Sequence, residues 1–169
     1  MKTLADIQKI AVLGAGTMGP GIAQIYAMGG YQVTMWTRSE KTRDKAIAAL
    51  HSQLETFAQE GEIAQEDVET IFGRVSFAMT VEEAVNGADF IQETIVENRD
   101  AKTDLYKQLA GCVGPDVIIA SNTSALNVFE IVPEQLLPQQ IICHWYAPPQ
   151  LIPLVEVVKS EQAPQEYAD

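Results

Sequence analysis

The sequence predicts an α/β fold: a doubly wound, mostly parallel sheet with a helical hairpin inserted after the second strand. Three observations carry this. Short apolar runs alternate along the chain with stretches of helical periodicity, the pattern of βαβ units. The first run, Ile10-Ala11-Val12-Leu13, has no polar alternation, as expected of a strand buried on both faces. It ends in Gly14-Ala15-Gly16-Thr17-Met18-Gly19, a Gly-x-Gly-x-x-Gly turn that leads into a helical pattern. A turn of this kind between strand and helix is the fingerprint of the Rossmann type of dinucleotide-binding fold.

Each glycine has a separate task. Gly14 allows the tight turn off the strand, Gly16 clears space where a pyrophosphate approaches the backbone, and Gly19 lets the helix pack on the strand. The N–H groups at the helix start, with Thr17 and Met18 beside them, suit a phosphate anion. A purely structural turn is the alternative.

The other elements follow in order. Residues 8–13 form the first strand and about 17–29 the first helix. Pro20 is tolerated in the first turn, and Gly29-Gly30 ends the helix. Gln32 to Trp36 is the second strand. Residues about 40–60 make a long helix with Ile47, Leu50, Leu54 and Phe57 as its apolar stripe, closed by Gly61. A shorter helix, Gln65 to Phe72, completes the hairpin. Val75 to Ala78 is a strand, and Thr80 caps a short helix from Val81 to Val85. Asp89 to Thr94 is a strand, followed by a helix from Arg99 to Cys112 with Leu105, Tyr106 and Leu109 facing inward. Val117 to Ala120 is a buried strand that opens into Ser121-Asn122-Thr123-Ser124. Ligands sit at the carboxyl ends of such strands, so this polar loop belongs on the cofactor side.

The chain has 169 residues, 47% of them hydrophobic, which suits one domain with a real core. Its net charge of −12 argues against nucleic acid or an anionic membrane surface as partner. Cys112 and Cys143 have no metal-ligand spacing around them and read as free thiols in a reducing compartment. Met1 to Gln8 contains no apolar signal-peptide core, and no run approaches the ~20 apolar residues of a membrane span. A cytoplasmic protein without a metal is expected.

The residue past the second strand bears on the cofactor. An NAD site usually places Asp or Glu there for the ribose 2′-OH. This chain has Thr37-Arg38-Ser39. An arginine attracts a 2′-phosphate that an acid would repel, which favours NADP over NAD. A solvated Arg38 stacked on adenine is the alternative.

Gln140 to His144 and Leu154 to Val158 read as two strands around a turn-rich segment with Pro148-Pro149. Folded back about residue 150, they place His144 opposite Glu156. Glu156 has only apolar neighbours in sequence, so it is either buried, where it needs a partner, or on an exposed strand face. A carboxylate beside an imidazole fixes its tautomer and raises its basicity. A structural ion pair is the alternative.

With these residues in hand, the chain resembles the N-terminal NAD-binding domain of the 3-hydroxyacyl-CoA dehydrogenase family over residues 7 to 160. The resemblance rests on Gly14 to Gly19, on Glu93-Thr94-Ile95-Val96-Glu97-Asn98, on Ser121 to Ser124, and on His144 followed twelve residues later by Glu156. It implies an oxidoreductase of fatty acid metabolism. His144 would be the general acid/base, Glu156 its orienting partner and Ser124 a hydrogen-bond donor to the reacting oxygen. Glu97 and Lys102 match the family's cofactor-side pair.

The chain departs from the family pattern at several positions. Ala147 stands where the family has an asparagine, and Thr37 where it has the ribose-binding Asp. Gapless counting puts Gln53 and Glu60 at the positions of the serine and lysine that contact CoA. They lie in the stretch 40–70, which holds eight acids against three bases. Acyl-CoA and a smaller hydroxy acid therefore both stay open as substrate. Family members continue into a helical domain that closes the cleft and forms the dimer. Residues 1–160 are expected to be the dinucleotide-binding domain, and 161–169 the start of that helical domain or a tail. The domain alone is expected to bind cofactor with little catalysis. A non-catalytic dinucleotide-binding module is the competing reading.

Overall fold

The computed structural model describes residues 4–168. Met1 to Thr3, in the segment read as lacking a signal peptide, and Asp169 of the tail lie outside the described residues. The elements in order are β1 (Lys9–Leu13), α1 (Gly19–Met28), β2 (Gln32–Trp36), α2 (Glu40–Gln59), α3 (Val68–Phe72), β3 (Val75–Ala78), α4 (Val81–Val85), β4 (Phe90–Glu93), α5 (Arg99–Cys112), β5 (Ile118–Ser121), β6 (Gln140–Trp145) and β7 (Val155–Lys159). They form one seven-stranded sheet in the order β3-β2-β1-β4-β5-β6-β7. Every pairing is parallel except β6 with β7.

Alternate side chains of β1 supply two cores. Ala11 and Leu13 face α4 and α5 with Leu105, Tyr106 and Leu109. Ile10 and Val12 face α1, α2 and α3 with Ile22, Leu50, Leu54 and Val68. This double burial is why the first apolar run shows no alternation. The chain crosses from one side of the sheet to the other at β1, which neighbours both β2 and β4. Such a switch in strand order leaves a crevice at the carboxyl ends, and the site lies there.

The inserted hairpin is α2 and α3. Ser39 caps α2 by accepting from the Thr42 amide at 3.2 Å, and Gly61 leaves the helix at φ +79°. The buried line along α2 is Ala46, Leu50 and Leu54. Of the expected stripe, Leu50 and Leu54 are buried, whereas Ile47 and Phe57 are half-buried. Steps of four keep Ala46, Leu50 and Leu54 on one face, and Ile47 lies about 100° around the helix from Ala46.

No described helix is long and apolar enough to cross a membrane.

Candidate active site

The three glycines after β1 do different things. Gly14 sits at φ +126°, and a Cβ there would come within 2.7 Å of the Thr94 carbonyl oxygen. A Cβ on Gly19 would run into the Gly14 carbonyl oxygen. These two are required by the fold itself, because β4 and the start of α1 press on the turn. A Cβ on Gly16 would meet nothing within 4 Å. It would stand in open space, so the reason for glycine there is the cleft.

That cleft has a volume of about 620 Å³, within the range of ligand sites. Gly14 to Met18 form one wall, and Trp36, Arg38 and Thr42 stand at one end. Thr94 to Glu97 also line it, with Ala101, Leu105 and Gln108 of α5, while Asn122 and Ser124 close the other end. Met18 gives α1 no side-chain cap, so the first-turn amides keep no side-chain acceptor of their own. Together with the empty space at Gly16, this fits a dinucleotide whose diphosphate lies on the turn.

Three residues expected on the cofactor side do not line this cleft: Gly19, which abuts Gly14 beneath the turn, Thr37 and Lys102. Thr37 is only 1% exposed, and its hydroxyl donates to the Met79 sulfur at 3.4 Å. Its side chain turns into the protein, and Arg38 is the charged residue that lines that end of the cleft. Lys102 is fully buried. Its ammonium lies 2.6 and 2.8 Å from the two oxygens of Glu93 and 3.4 Å from Glu97. A buried ammonium must be paired, and the nearest carboxylate, Glu93, lies inside the sheet.

Glu97 lines the cleft but faces the Ser121–Ser124 loop. Its Oε1 accepts from the Thr123 hydroxyl at 2.6 Å and from the amides of Ser124, Ala125 and Leu126 at 3.0, 3.1 and 3.4 Å. Partial burial alone would raise its pKa. The Thr123 hydroxyl, the Ala125 and Ser124 amides and the Lys102 charge outweigh that and lower it from 4.5 to about 2. A depressed carboxylate pKa stabilises the fold above the unfolded value and loses that contribution as pH falls through the folded one. With Glu97 partly open to solvent, the contribution is on the order of 1–2 kcal/mol. The amide resonances of Ser124 to Leu126 are therefore expected to hold steady down to about pH 4 and to move together as pH approaches 2. An NMR titration in which these amides shift near pH 4.5 would place Glu97 elsewhere.

His144 and Glu156 face each other across the β6–β7 ladder. His144 Nδ1 lies 2.8 Å from Glu156 Oε2, with the side chains 21% and 57% exposed. An ionised Glu156 accepts the Nδ1 proton and leaves Nε2 for exchange. Its pKa is lowered by the hydrogen bond from His144 and then by that from Tyr146. Of the two placements open for Glu156, the exposed strand face is the one found. A hollow of about 440 Å³ contains both residues together with Ser124, Leu126 and Phe129.

Four further residues belong to the site. Glu93 is fully buried at the end of β4, and Ser121 donates to it from the end of β5. Asn122 accepts the Trp145 amide at 2.8 Å and donates to the Thr94 hydroxyl at 3.3 Å, tying three strand ends together. The Tyr146 ring lies 4.9 Å from the His144 ring. A signal existed for two of them. Glu93 ends a predicted strand at its carboxyl side, where ligands sit, and Tyr146 falls two residues after His144, on the same strand face. Among the described residues, no group of three or more His, Cys, Asp or Glu side chains could hold a metal ion. Both cysteines are free, and burial pushes the Cys143 thiol up to about 12.

Comparison with known proteins gives the family. The family model described as 3-hydroxyacyl-CoA dehydrogenase, NAD binding domain, matches residues 9–169. A probable 3-hydroxybutyryl-CoA dehydrogenase of Bacillus subtilis is 37% identical over 164 residues, covering 96% of this chain and 57% of the relative. A 3-hydroxybutyryl-CoA dehydrogenase structure from Escherichia coli K12 superposes with a TM-score of 0.88 at 28% identity, over 96% of this chain and 34% of that one. The structure of 5-formyl-3-hydroxy-2-methylpyridine 4-carboxylic acid 5-dehydrogenase, described as an NAD+-dependent dismutase, gives 0.82 at 32% identity, over 96% and 52%. The chain spans about half the length of the curated relatives it matches. From a glycine turn at the switch point to a histidine paired across the last two strands, the chain is an NAD-binding domain and belongs to the 3-hydroxyacyl-CoA dehydrogenase family.

Proposed function

We propose that this chain is the coenzyme-binding domain of an NAD(P)-dependent oxidoreductase that interconverts 3-hydroxy and 3-keto acyl groups. The observation that carries the reading is the position of Ser124, which lines both the dinucleotide cleft and the hollow holding His144 and Glu156. A substrate in the hollow would meet the coenzyme there. The nicotinamide, when bound, supplies or accepts the hydride. His144 exchanges the proton of the hydroxyl or keto oxygen, Glu156 keeps the imidazole in one orientation and tautomer, and Ser124 donates to the same oxygen. Gly14, Gly16, Thr17, Met18 and Gly19 form the diphosphate cradle. Glu97 acts on the cofactor side by holding the loop that carries Ser124.

Arg38 supports acceptance of NADP. It lines the cleft end, and among the described residues lining that end no carboxylate repels a 2′-phosphate. Arg38→Ala is expected to weaken NADPH binding about tenfold, a loss of about 1.4 kcal/mol, with NADH little changed. Fluorescence titration at several salt concentrations checks this. If wild-type protein binds NADH far more tightly than NADPH, Arg38 does not select the cofactor.

The substrate is a CoA ester or a smaller hydroxy acid. Glu60 is exposed at the end of α2 within an acidic stretch, a poor setting for CoA phosphates. Assaying the longest product of the gene with acetoacetyl-CoA beside free 3-keto acids tests both the reaction and the substrate. Residues 1–160 are the dinucleotide-binding unit, and dimerisation belongs to sequence beyond it. The free cysteines fit a reducing, cytoplasmic setting. One observation favours a second reading, a nucleotide-binding module without turnover: Ala147 cannot make the hydrogen bonds of the asparagine found there in the family. Absence of turnover with every substrate tried, alongside tight NADH binding, would select it.

A further inference from the structure

The fold has a charged centre that neither coenzyme contact nor proton transfer explains. Glu93, buried at the end of β4, accepts five hydrogen bonds. Lys102 gives two, at 2.6 and 2.8 Å. The Ile95 amide (2.8 Å), the Tyr106 hydroxyl (3.2 Å) and the Ser121 hydroxyl (2.5 Å) give the others. Glu93, Lys102, Tyr106 and Ser121 all have no exposed surface. The donors come from α5, from β5 and from the segment just after β4. Lys102 then reaches outward to Glu97 Oε2 at 3.4 Å, while Glu97 Oε1 holds the amides of Ser124, Ala125 and Leu126.

The charges therefore alternate from the sheet interior to the loop: Glu93 negative, Lys102 positive, Glu97 negative. A buried ion pair gives little net stability over apolar residues of similar size. What it does give is direction. Lys102 is held by two oxygens of Glu93 and has one side left for Glu97. Glu97, so placed, has one oxygen for the ammonium and the other for the loop.

We infer that Glu93 is a positioning residue, which through Lys102 fixes Glu97 as a clamp on the Ser124 loop at the junction of the two cavities. Its consequence for catalysis rests on the proposed role of Ser124, whereas the clamp itself does not. Ser124 stands where it does because three residues in series hold its backbone.

Amide hydrogen exchange tests the clamp directly. In the double variant Glu93→Gln/Lys102→Met no lone buried charge remains, and the melting temperature is expected to stay close to wild type. The amides of Ser124, Ala125 and Leu126 are nevertheless expected to exchange about tenfold faster, as in Glu97→Gln, while Ile91 and Ile119 keep their protection. Unchanged exchange at 124–126 in the folded double variant would overturn the inference. Should that variant not fold, Ser121→Ala removes one donor to Glu93 without altering charge. A smaller acceleration confined to the same amides supports the clamp, and none refutes it. Faster exchange with unaltered turnover in the longest gene product would leave the clamp standing and remove Ser124 from the reaction.

Discussion

Replacing Gly16 by valine is expected to abolish binding of NADH and NADPH while the melting temperature stays unchanged. The reason is the environment of each glycine in the turn. A side chain at Gly16 would meet no protein atom within 4 Å, so the folded chain accepts it without strain. The same side chain would occupy the space in front of the first-turn amides of α1, where the diphosphate is to lie. A loss of at least about 100-fold in affinity, near 2.7 kcal/mol, follows from excluding the diphosphate from that cradle. Gly14→Val and Gly19→Val should behave in the opposite way, losing stability before affinity can be measured. Gly14 lies at φ +126° with the Thr94 carbonyl against it, and Gly19 abuts the Gly14 carbonyl. Thermal melts beside fluorescence titrations separate the two classes. A Gly16→Val protein that still binds NADH normally would mean that the nucleotide does not use this turn.

The same contrast shows what could be read from the chain and what could not. The strand–turn–helix order of residues 10–28 was legible because burial on both faces of β1 leaves a local record, an apolar run ending at glycine. The facing of His144 and Glu156 was also legible. Folding the two strands back about residue 150, midway between them, pairs position 144 with 156, and that is the register found. Lys102 was different. The family resemblance implied a pair with Glu97 on the cofactor side, yet its main partner is Glu93, nine residues back. That choice depends on how α5 lies over β4 and β5, which no local pattern records. Thr37 hides for a similar reason: its burial comes from Met79, which follows a strand on the far side of β2. Glu93 lacked the mark that singled out Glu156, because its neighbours Gln92 and Thr94 are polar, and its burial is set by α5 and β5 rather than by its own strand.

His144→Gln is expected to lower turnover of the longest gene product by about 10²- to 10⁴-fold while leaving NADH affinity unchanged. Glutamine keeps the approximate size and a hydrogen-bonding group on β6, so the β6–β7 ladder and the cleft at Gly14 to Met18 are undisturbed. It cannot exchange a proton near neutral pH. Glu156→Gln should cost less, on the order of tenfold, because an amide oxygen can still accept the Nδ1 proton and hold the ring while the charge is lost. The wild-type carboxylate is kept below its ordinary range by His144 and then Tyr146. Its support is thus present above the unfolded carboxylate value and disappears only as pH falls through the lowered one. Turnover should not decline through protonation of Glu156 at mildly acidic pH, and the Gln variant should be slower at every pH rather than at one end of the profile. The order of the two effects is the decisive point. A histidine that only stabilises the ladder would make both variants lose melting temperature in parallel with activity, and a nucleotide-binding module would show no turnover to lose. Full binding, an unchanged melt and a loss larger at 144 than at 156 require an imidazole that handles the substrate's proton and a carboxylate that acts through it.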